Sequence, residues 1–99
     1  MSLFLCRLIP PRPTFSVDMT DEERAVMERH VGYWRGLLEE GSVVAFGPVA
    51  DPAGGWGVSV IEADDEASVQ TMIDGDPVKR MGDGGFRYEV FAMPGAFSR

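Results

Sequence analysis

His30 is the one histidine of this 99-residue chain, and histidine is the side chain whose ordinary pKa lies nearest neutrality. It stands in a stretch where apolar residues recur at helical spacing, which predicts that it faces inward from a helix. An imidazole in that position can accept and deliver protons. A lone histidine on an apolar face is more often a hydrogen-bonded core residue, so His30 is a candidate that needs support.

Asp76 is the second candidate because it directly precedes Pro77. The residue before a proline favours extended backbone, so the carboxylate projects from a loop and not into a helix. A carboxylate next to an imidazole would fix its tautomer and orient it as a general base. The alternative is that Asp76 only caps a turn, and the spacing in the sequence does not tell whether it meets His30.

Three further residues are candidates for binding a substrate. Gly47 permits close backbone approach and Pro48 stiffens a turn, so they could line a pocket. Closure of a hairpin is the favoured interpretation of that pair. Trp34 and Trp56 are better explained as core or interface anchors than as a stack for a cofactor. Trp34, Gly47 and Pro48 are nevertheless the predicted substrate-binding set.

Several kinds of chemistry find no motif in the chain. The glycine-rich segment at residues 82–85 lacks the Lys and the Ser or Thr of a phosphate loop, and no dinucleotide fingerprint follows a strand. One cysteine, Cys6, and one histidine cannot form a zinc-type cluster. Ser42, Ser59 and Ser68 show no hydrolase motif. We therefore predict no cofactor and no metal.

Composition limits the partners. A net charge of -7 repels a phosphate backbone, so nucleic acid is not expected. No apolar run approaches the roughly 20 residues that span a bilayer, so no membrane is expected either. The single cysteine excludes an intrachain disulfide and favours a reducing cytoplasm. The length fits a single domain over residues 1–99.

The element pattern alternates between strand and helix. Residues 3–9 predict a first strand that stops at prolines, and residues 10–19 predict a loop. Thr20 and Glu23 form a T-x-x-E capping box that starts a helix, and Gly41 is suited to end it. Its inward face is predicted to hold two rows: Val26, His30, Tyr33 and Leu37, and Met27, Val31, Trp34 and Leu38.

Residues 43–90 predict two more strands, a second helix and a last strand. A hairpin of residues 43–46 and 57–62 precedes a helix that Asp64 or Asp65 caps and Gly75 ends. Residues 86–90 alternate as a last strand. The order predicts a split βαβ arrangement, with both helices on one face of a four-stranded antiparallel sheet. Because the strands are apolar in both registers, the bare face predicts a homodimer formed sheet against sheet.

A succession of short segments gives the chain a resemblance to a known family. They are Met19-Thr20-Asp21-Glu22-Glu23, His30-Val31-Gly32-Tyr33-Trp34, Leu37, Gly41, Phe46-Gly47-Pro48-Val49, Asp51-Pro52, residues 54–57 and Gly75-Asp76-Pro77. In this order, across residues 19–93, the chain resembles the YciI-like (YCII-related) family.

The resemblance implies a ferredoxin-like βαββαβ chain that dimerises as an α+β barrel, with a histidine and an aspartate in a cleft. These fall on His30 and Asp76, which become one proposed dyad. The implied substrates are small, often cyclic organic compounds. The first hypothesis is an enzyme of elimination, isomerisation or hydrolysis. The alternatives are a module that binds a small ligand unchanged and a regulatory protein-interaction domain.

Overall fold

The computed structural model of the chain describes residues 2–81 and 85–99. The predicted loop at residues 82–85 therefore falls almost wholly outside the described residues. The elements are β1 (Ser2–Ile9), α1 (Phe15–Asp18), α2 (Asp21–Glu40), β2 (Val43–Val49), β3 (Trp56–Ala63), α3 (Glu66–Asp74), a 3₁₀ helix (Pro77–Met81) and β4 (Arg87–Ala92).

The four strands form one sheet in the order β2-β3-β1-β4, and each neighbouring pair is antiparallel. This is the strand order of the split βαβ arrangement, so the predicted α+β fold with a four-stranded antiparallel sheet is confirmed. Within the described ranges, no helix is both long enough and apolar enough to cross a membrane.

The long helix α2 begins and ends where the sequence predicts. The Thr20 side chain accepts from the Glu23 backbone N–H, and the Glu23 carboxylate accepts from the Thr20 N–H, which completes the capping box. Gly41 follows in the left-handed region at φ 100°, where a residue without Cβ is favoured. Asp65, one of the two predicted candidates, caps α3.

The helix-facing side of the sheet carries the main core. Phe4 and Cys6 of β1 and Ile61 of β3 pack there against Trp34 of α2 and Val69 of α3, and each of these side chains is at most 6% exposed. Alternation along β1 places every second residue on this face. Burial raises the pKa of the Cys6 thiol to about 11, as expected for a cysteine that behaves as an apolar residue.

Four expectations about the elements need correction. Val31 and Leu38 are 38% and 39% exposed, because an apolar stripe this wide turns its margin away from the sheet. Residues 10–19 include the single turn α1, which packs Phe15 into the protein. The 3₁₀ helix after Asp76 was not predicted. Strand β2 does not end at residue 46 but continues through Gly47 and Pro48, since an edge strand tolerates a missing N–H.

The opposite side of the sheet, called the open face below, has no helix over it. It carries the alternate residues of the same strands, so its centre is apolar around the paired Leu5 and Val60, with Phe91 of β4 51% exposed beside them. Arg7 and Glu89 also pair on this face.

Arg12 ties the proline-rich segment to the start of α2. Its guanidinium donates to both oxygens of Glu23, at 2.9 and 2.8 Å, and to Asp18 at 2.7 Å. The Glu23 side chain is 11% exposed. The hydrogen bonds from Arg12 and from the Thr20 backbone lower the pKa of Glu23 from 4.5 to about 2.

Glu23→Gln should therefore remove a stabilising interaction that depends on pH. Since the folded pKa lies below the unfolded value, the ionised carboxylate stabilises the fold above pH 4.5 and loses this effect as the pH falls toward 2. The difference in unfolding free energy between wild type and variant, measured by urea titration, should shrink over that interval. Glu22→Gln, at an exposed position on the same turn, is the control. A difference that stays constant across this range would contradict the prediction.

Candidate functional site

Helix α2 supplies the histidine and a tryptophan one turn apart. His30 and Trp34 stand at i and i+4, so their side chains lie on the same face. Trp34 is 1% exposed and belongs to the core, whereas the side chain of His30 is 12% exposed. The ring centroids are 6.4 Å apart. His30 therefore sits at the margin of the core, where one part of its ring can reach solvent.

Asp76 is placed by the turn between α3 and the 3₁₀ helix. Its backbone N–H bonds to the carbonyl of Ile73, and its Oδ1 accepts from the backbone N–H of Val78 at 3.0 Å. Pro77 opens the 3₁₀ helix, a position where the missing N–H costs nothing. The capping role predicted as the alternative for Asp76 is thus present, and it occupies only one carboxylate oxygen.

The other oxygen, Oδ2, faces three side chains. It lies 2.8 Å from His30 Nδ1, accepts from Trp34 Nε1 at 2.7 Å and accepts from the Tyr88 hydroxyl. Asp76 itself is 0% exposed. A buried carboxylate is tolerated when its lone pairs are all engaged by donors. The structure therefore brings His30, Asp76 and Trp34 together and adds Tyr88 of β4.

These contacts set the charge of the site. Burial works to raise the pKa of Asp76, but the hydrogen bond and charge of His30, with the bonds from Trp34 and Tyr88, outweigh it and lower the pKa. Burial, followed by the charge of Asp76 and the bond to it, raises the pKa of the Tyr88 hydroxyl. Asp76 is thus an anion and Tyr88 a neutral donor at neutral pH.

The anion determines which ring nitrogen of His30 is available. A carboxylate is an acceptor only, so Nδ1 of His30 carries the proton that it shares with Asp76. In neutral imidazole the other nitrogen then holds a lone pair. Within residues 2–81 and 85–99, Nε2 has no hydrogen-bond partner and is not among the buried orphan atoms. It can accept a proton from a molecule at the surface.

Other chemistry has little support among the described residues. There, no group of three or more His, Cys, Asp or Glu is arranged to hold a metal ion. Cys6 is 0% exposed, and its raised pKa keeps it a thiol at neutral pH. The hydroxyls of Ser42 and Ser68 bond to nearby carboxylates, and Ser59 is buried. Proton transfer by His30 is what the arrangement can perform.

Gly47 and Pro48 lie elsewhere. Both are in β2, at the sheet edge opposite β4, which carries Tyr88. Three strand spacings separate these edges, about 14 Å. Gly47 pairs with Val58 and so belongs to the open face. Gly47 and Pro48 therefore lie at the edge of the sheet away from Tyr88. Their binding of a substrate stays a prediction. Direct contact of the buried Trp34 with a substrate also stays a prediction.

Tyr88 is the site residue that sequence reasoning missed. Its alternation with Arg87 and Glu89 predicted a strand and one buried face, but not a polar partner. A buried tyrosine usually finds an acceptor for its hydroxyl. That rule was the available signal, although it does not identify the acceptor as Asp76.

Comparison with known proteins adds a family and a fold. The model of the YCII-related domain matches residues 3–94. No curated protein matches the chain. Ten chains of solved structures match, among them 5-chloro-2-hydroxyhydroquinone dehydrochlorinase from Burkholderia phenoliruptrix AC1100 in complex with 2,5-dihydroxybenzoquinone. That match has a TM-score of 0.63 and 18% identity and covers 89% of each chain. At this identity the likeness shows the shared fold alone.

Tyr88→Phe should destabilise the protein more than Tyr33→Phe. The Tyr88 hydroxyl donates to a buried anion, whereas Tyr33 donates to the neutral carbonyl of Met72. Hydrogen bonds to charged groups contribute about 1.5–3 kcal/mol and neutral ones about 0.5–1.5 kcal/mol. Urea unfolding of both variants at neutral pH measures the difference. Equal losses of unfolding free energy would show that the hydrogen bond of Tyr88 to the Asp76 carboxylate is no stronger than a bond to a neutral carbonyl.

Proposed function

The chain belongs to the YCII-related domain family, and on that premise we propose that it is an enzyme of general acid/base chemistry on a small organic compound. His30 is the proton-transferring residue and Asp76 its positioning partner. The observation that carries the proposal is the 2.8 Å contact of His30 Nδ1 with Asp76 Oδ2, a fully buried oxygen held by two further donors.

The chemistry follows from the free ring nitrogen. Nε2 of His30 takes a proton from an acidic C–H or O–H of the substrate, and Asp76 stabilises the imidazolium that forms. In an isomerisation the same proton returns to another substrate atom. In an elimination the electron pair of the broken C–H bond expels a leaving group, to which the imidazolium can deliver the proton. Neither route requires a nucleophilic residue.

The substrate class proposed is a small hydroxylated ring. An acidic proton on such a ring suits a neutral imidazole, because the enolate or phenolate formed is delocalised. The dehydrochlorinase of similar fold acts, by its name, on a chlorinated hydroxyhydroquinone. Fold likeness does not by itself transfer an activity, so this relative supplies compounds to test.

A homodimer formed through the open face is part of the proposal. A domain near 100 residues buries only about 60–65% of its unfolded surface, and this one leaves apolar side chains such as Phe91 uncovered. Packing two sheets face to face would bury the row around Leu5 and Val60 in both copies. The pairing of like with like is isologous, as in most dimers.

His30→Ala should slow catalysis strongly while preserving the fold. Removal of a general base typically costs a factor of about 10²–10⁴ in rate. Hydroxyquinols, chlorinated hydroquinones and cyclic ketones can be incubated with the protein in D₂O, with deuterium incorporation and product followed by NMR. Arg29→Ala, at an exposed position one residue away on α2, is the matched control. Turnover that survives in folded His30→Ala would remove His30 from the mechanism.

The role of Asp76 has a test that needs no substrate. In the wild type, ¹H–¹⁵N correlations of the His30 ring should show the proton on Nδ1, and Asp76→Asn should weaken that preference.

A compound that binds near His30 and is recovered unchanged, without deuterium, would favour the ligand-binding module over the enzyme.

Val60→Lys should convert the dimer to a monomer. Val60 is at the centre of the open face, where a second sheet would bury the introduced ammonium without a partner. Light scattering coupled to size exclusion measures the mass. Val17→Lys is the control, because Val17 is 84% exposed on α1. A wild type that stays monomeric at high concentration would refute the pairing.

A further inference from the structure

A cavity of about 370 Å³ lies at one end of the open face, on the other side of the sheet from Asp76. Ile9 and Trp56 contribute strand residues to it, and the segments at residues 10–13 and 53–55 form its rim. Its volume falls within the range of small-ligand sites. Leu5 and Val60, on which the proposed dimer contact is centred, do not line it. The cavity therefore lies at the end of the face beyond that contact, where a ligand would enter from the end of the sheet.

Positive charge is concentrated there. Arg7, Arg12 and Arg87 line the cavity, three of the nine basic residues in a chain of net charge -7. Asp51 is the one acid among the described residues that line it. Arg7 pairs with Glu89 in the sheet and Ile9 with Arg87, so Arg7 and Arg87 are diagonal neighbours, about 7–8 Å apart.

The charged groups of the wall differ in how far they are already engaged. Arg12 is bound to Glu23 and Asp18. Asp51 accepts from the Ala53 N–H at 2.9 Å and from Trp56 Nε1 at 3.0 Å, so each oxygen has a donor. These two side chains stabilise the rim, and fewer of their donor and acceptor atoms remain for a ligand.

Arg7 and Arg87 have donors without a partner among the residues that the structure describes. The Arg7 guanidinium lies 4.6 Å from the centroid of the Trp56 ring and makes one long contact, 3.4 Å, with Glu89. Its Nε is the one buried side-chain nitrogen or oxygen without a partner in the described part of the chain. Arg87 is exposed. Stacking on Trp56 orients the guanidinium of Arg7, and the exposed guanidinium of Arg87 supplies a second set of donors.

We propose that this cavity binds a small planar organic monocarboxylate. Guanidinium groups bind carboxylates in a two-point geometry, and Arg7 and Arg87 supply the donors. Ile9 and the prolines of the rim offer apolar surface to the body of the ligand. Glu89 beside Arg7 disfavours a doubly charged phosphate. The site does not depend on His30, so the inference stands apart from the proposed reaction.

Benzoate is the probe, and the indole N–H signal of Trp56 in ¹H–¹⁵N spectra is the readout. That signal should shift saturably with benzoate and not with benzamide, its neutral counterpart. The signal of Trp34, buried beside Asp76, is the internal reference. Arg87→Gln should weaken benzoate binding about tenfold, the equivalent of one charge-assisted hydrogen bond. Because Arg87 is exposed, the variant should fold.

Two controls make the result specific. Arg24→Gln removes an exposed arginine of α2 that does not line the cavity and should leave the affinity unchanged. His30→Ala should also bind benzoate as the wild type does. Equal binding of benzamide, an unaffected Arg87→Gln, or tighter binding of inorganic phosphate than of benzoate would overturn the proposal.

Discussion

The buried carboxylate of Asp76 is the group on which the helix side of this protein depends. Removing a charge from water is costly unless donors replace the lost hydration. Here the backbone of Val78 serves one oxygen, and His30, Trp34 and Tyr88 serve the other. The donors come from α2, from β4 and from the 3₁₀ helix. One carboxylate therefore joins His30 and Trp34 of α2, more than 40 residues earlier in the chain, to the 3₁₀ helix and β4 that follow Asp76.

That arrangement has a consequence for chemistry. Among the described residues, the contacts that compensate the buried charge leave Nε2 of His30 without a hydrogen-bond partner. The core requires donors around the buried Asp76 carboxylate, and the general base proposed for His30 requires a fixed tautomer and a nearby anion. The contact between His30 and Asp76 meets both requirements, because the imidazole N–H donates to the carboxylate and the carboxylate fixes the tautomer. The structural and functional explanations for this residue are therefore complementary.

The two faces of the sheet differ because the helices cover only one. On the covered face, polar groups are few and engaged, and the imidazole lies at its margin. On the open face, apolar rows surround Leu5 and Val60, and guanidinium groups gather at one end around Arg7. The sheet thus has the Asp76 site on one side and the arginine-lined cavity on the other. Family and fold alone do not specify either chemistry.

Local features were readable from the sequence because their causes lie within a few residues. The bonds between Thr20 and Glu23, the left-handed Gly41 and the end of β1 just before Pro10 each depend on near neighbours, and all occur as predicted. The order of elements then fixed the strand order, since few connections are compatible with it. Composition and motif likewise singled out His30 and Asp76 as candidates.

Only the tertiary structure decided which side chains contact each other. His30 and Asp76 are 46 residues apart, and no periodicity states that a helix face and a turn after another helix converge. The Tyr88 hydroxyl found its acceptor through strand order, which also put Gly47 on the far edge of the sheet. A side chain's face follows from local geometry, whereas its partner depends on the packing of distant elements. The sequence therefore determined the candidates and their faces, and the packing determined the site.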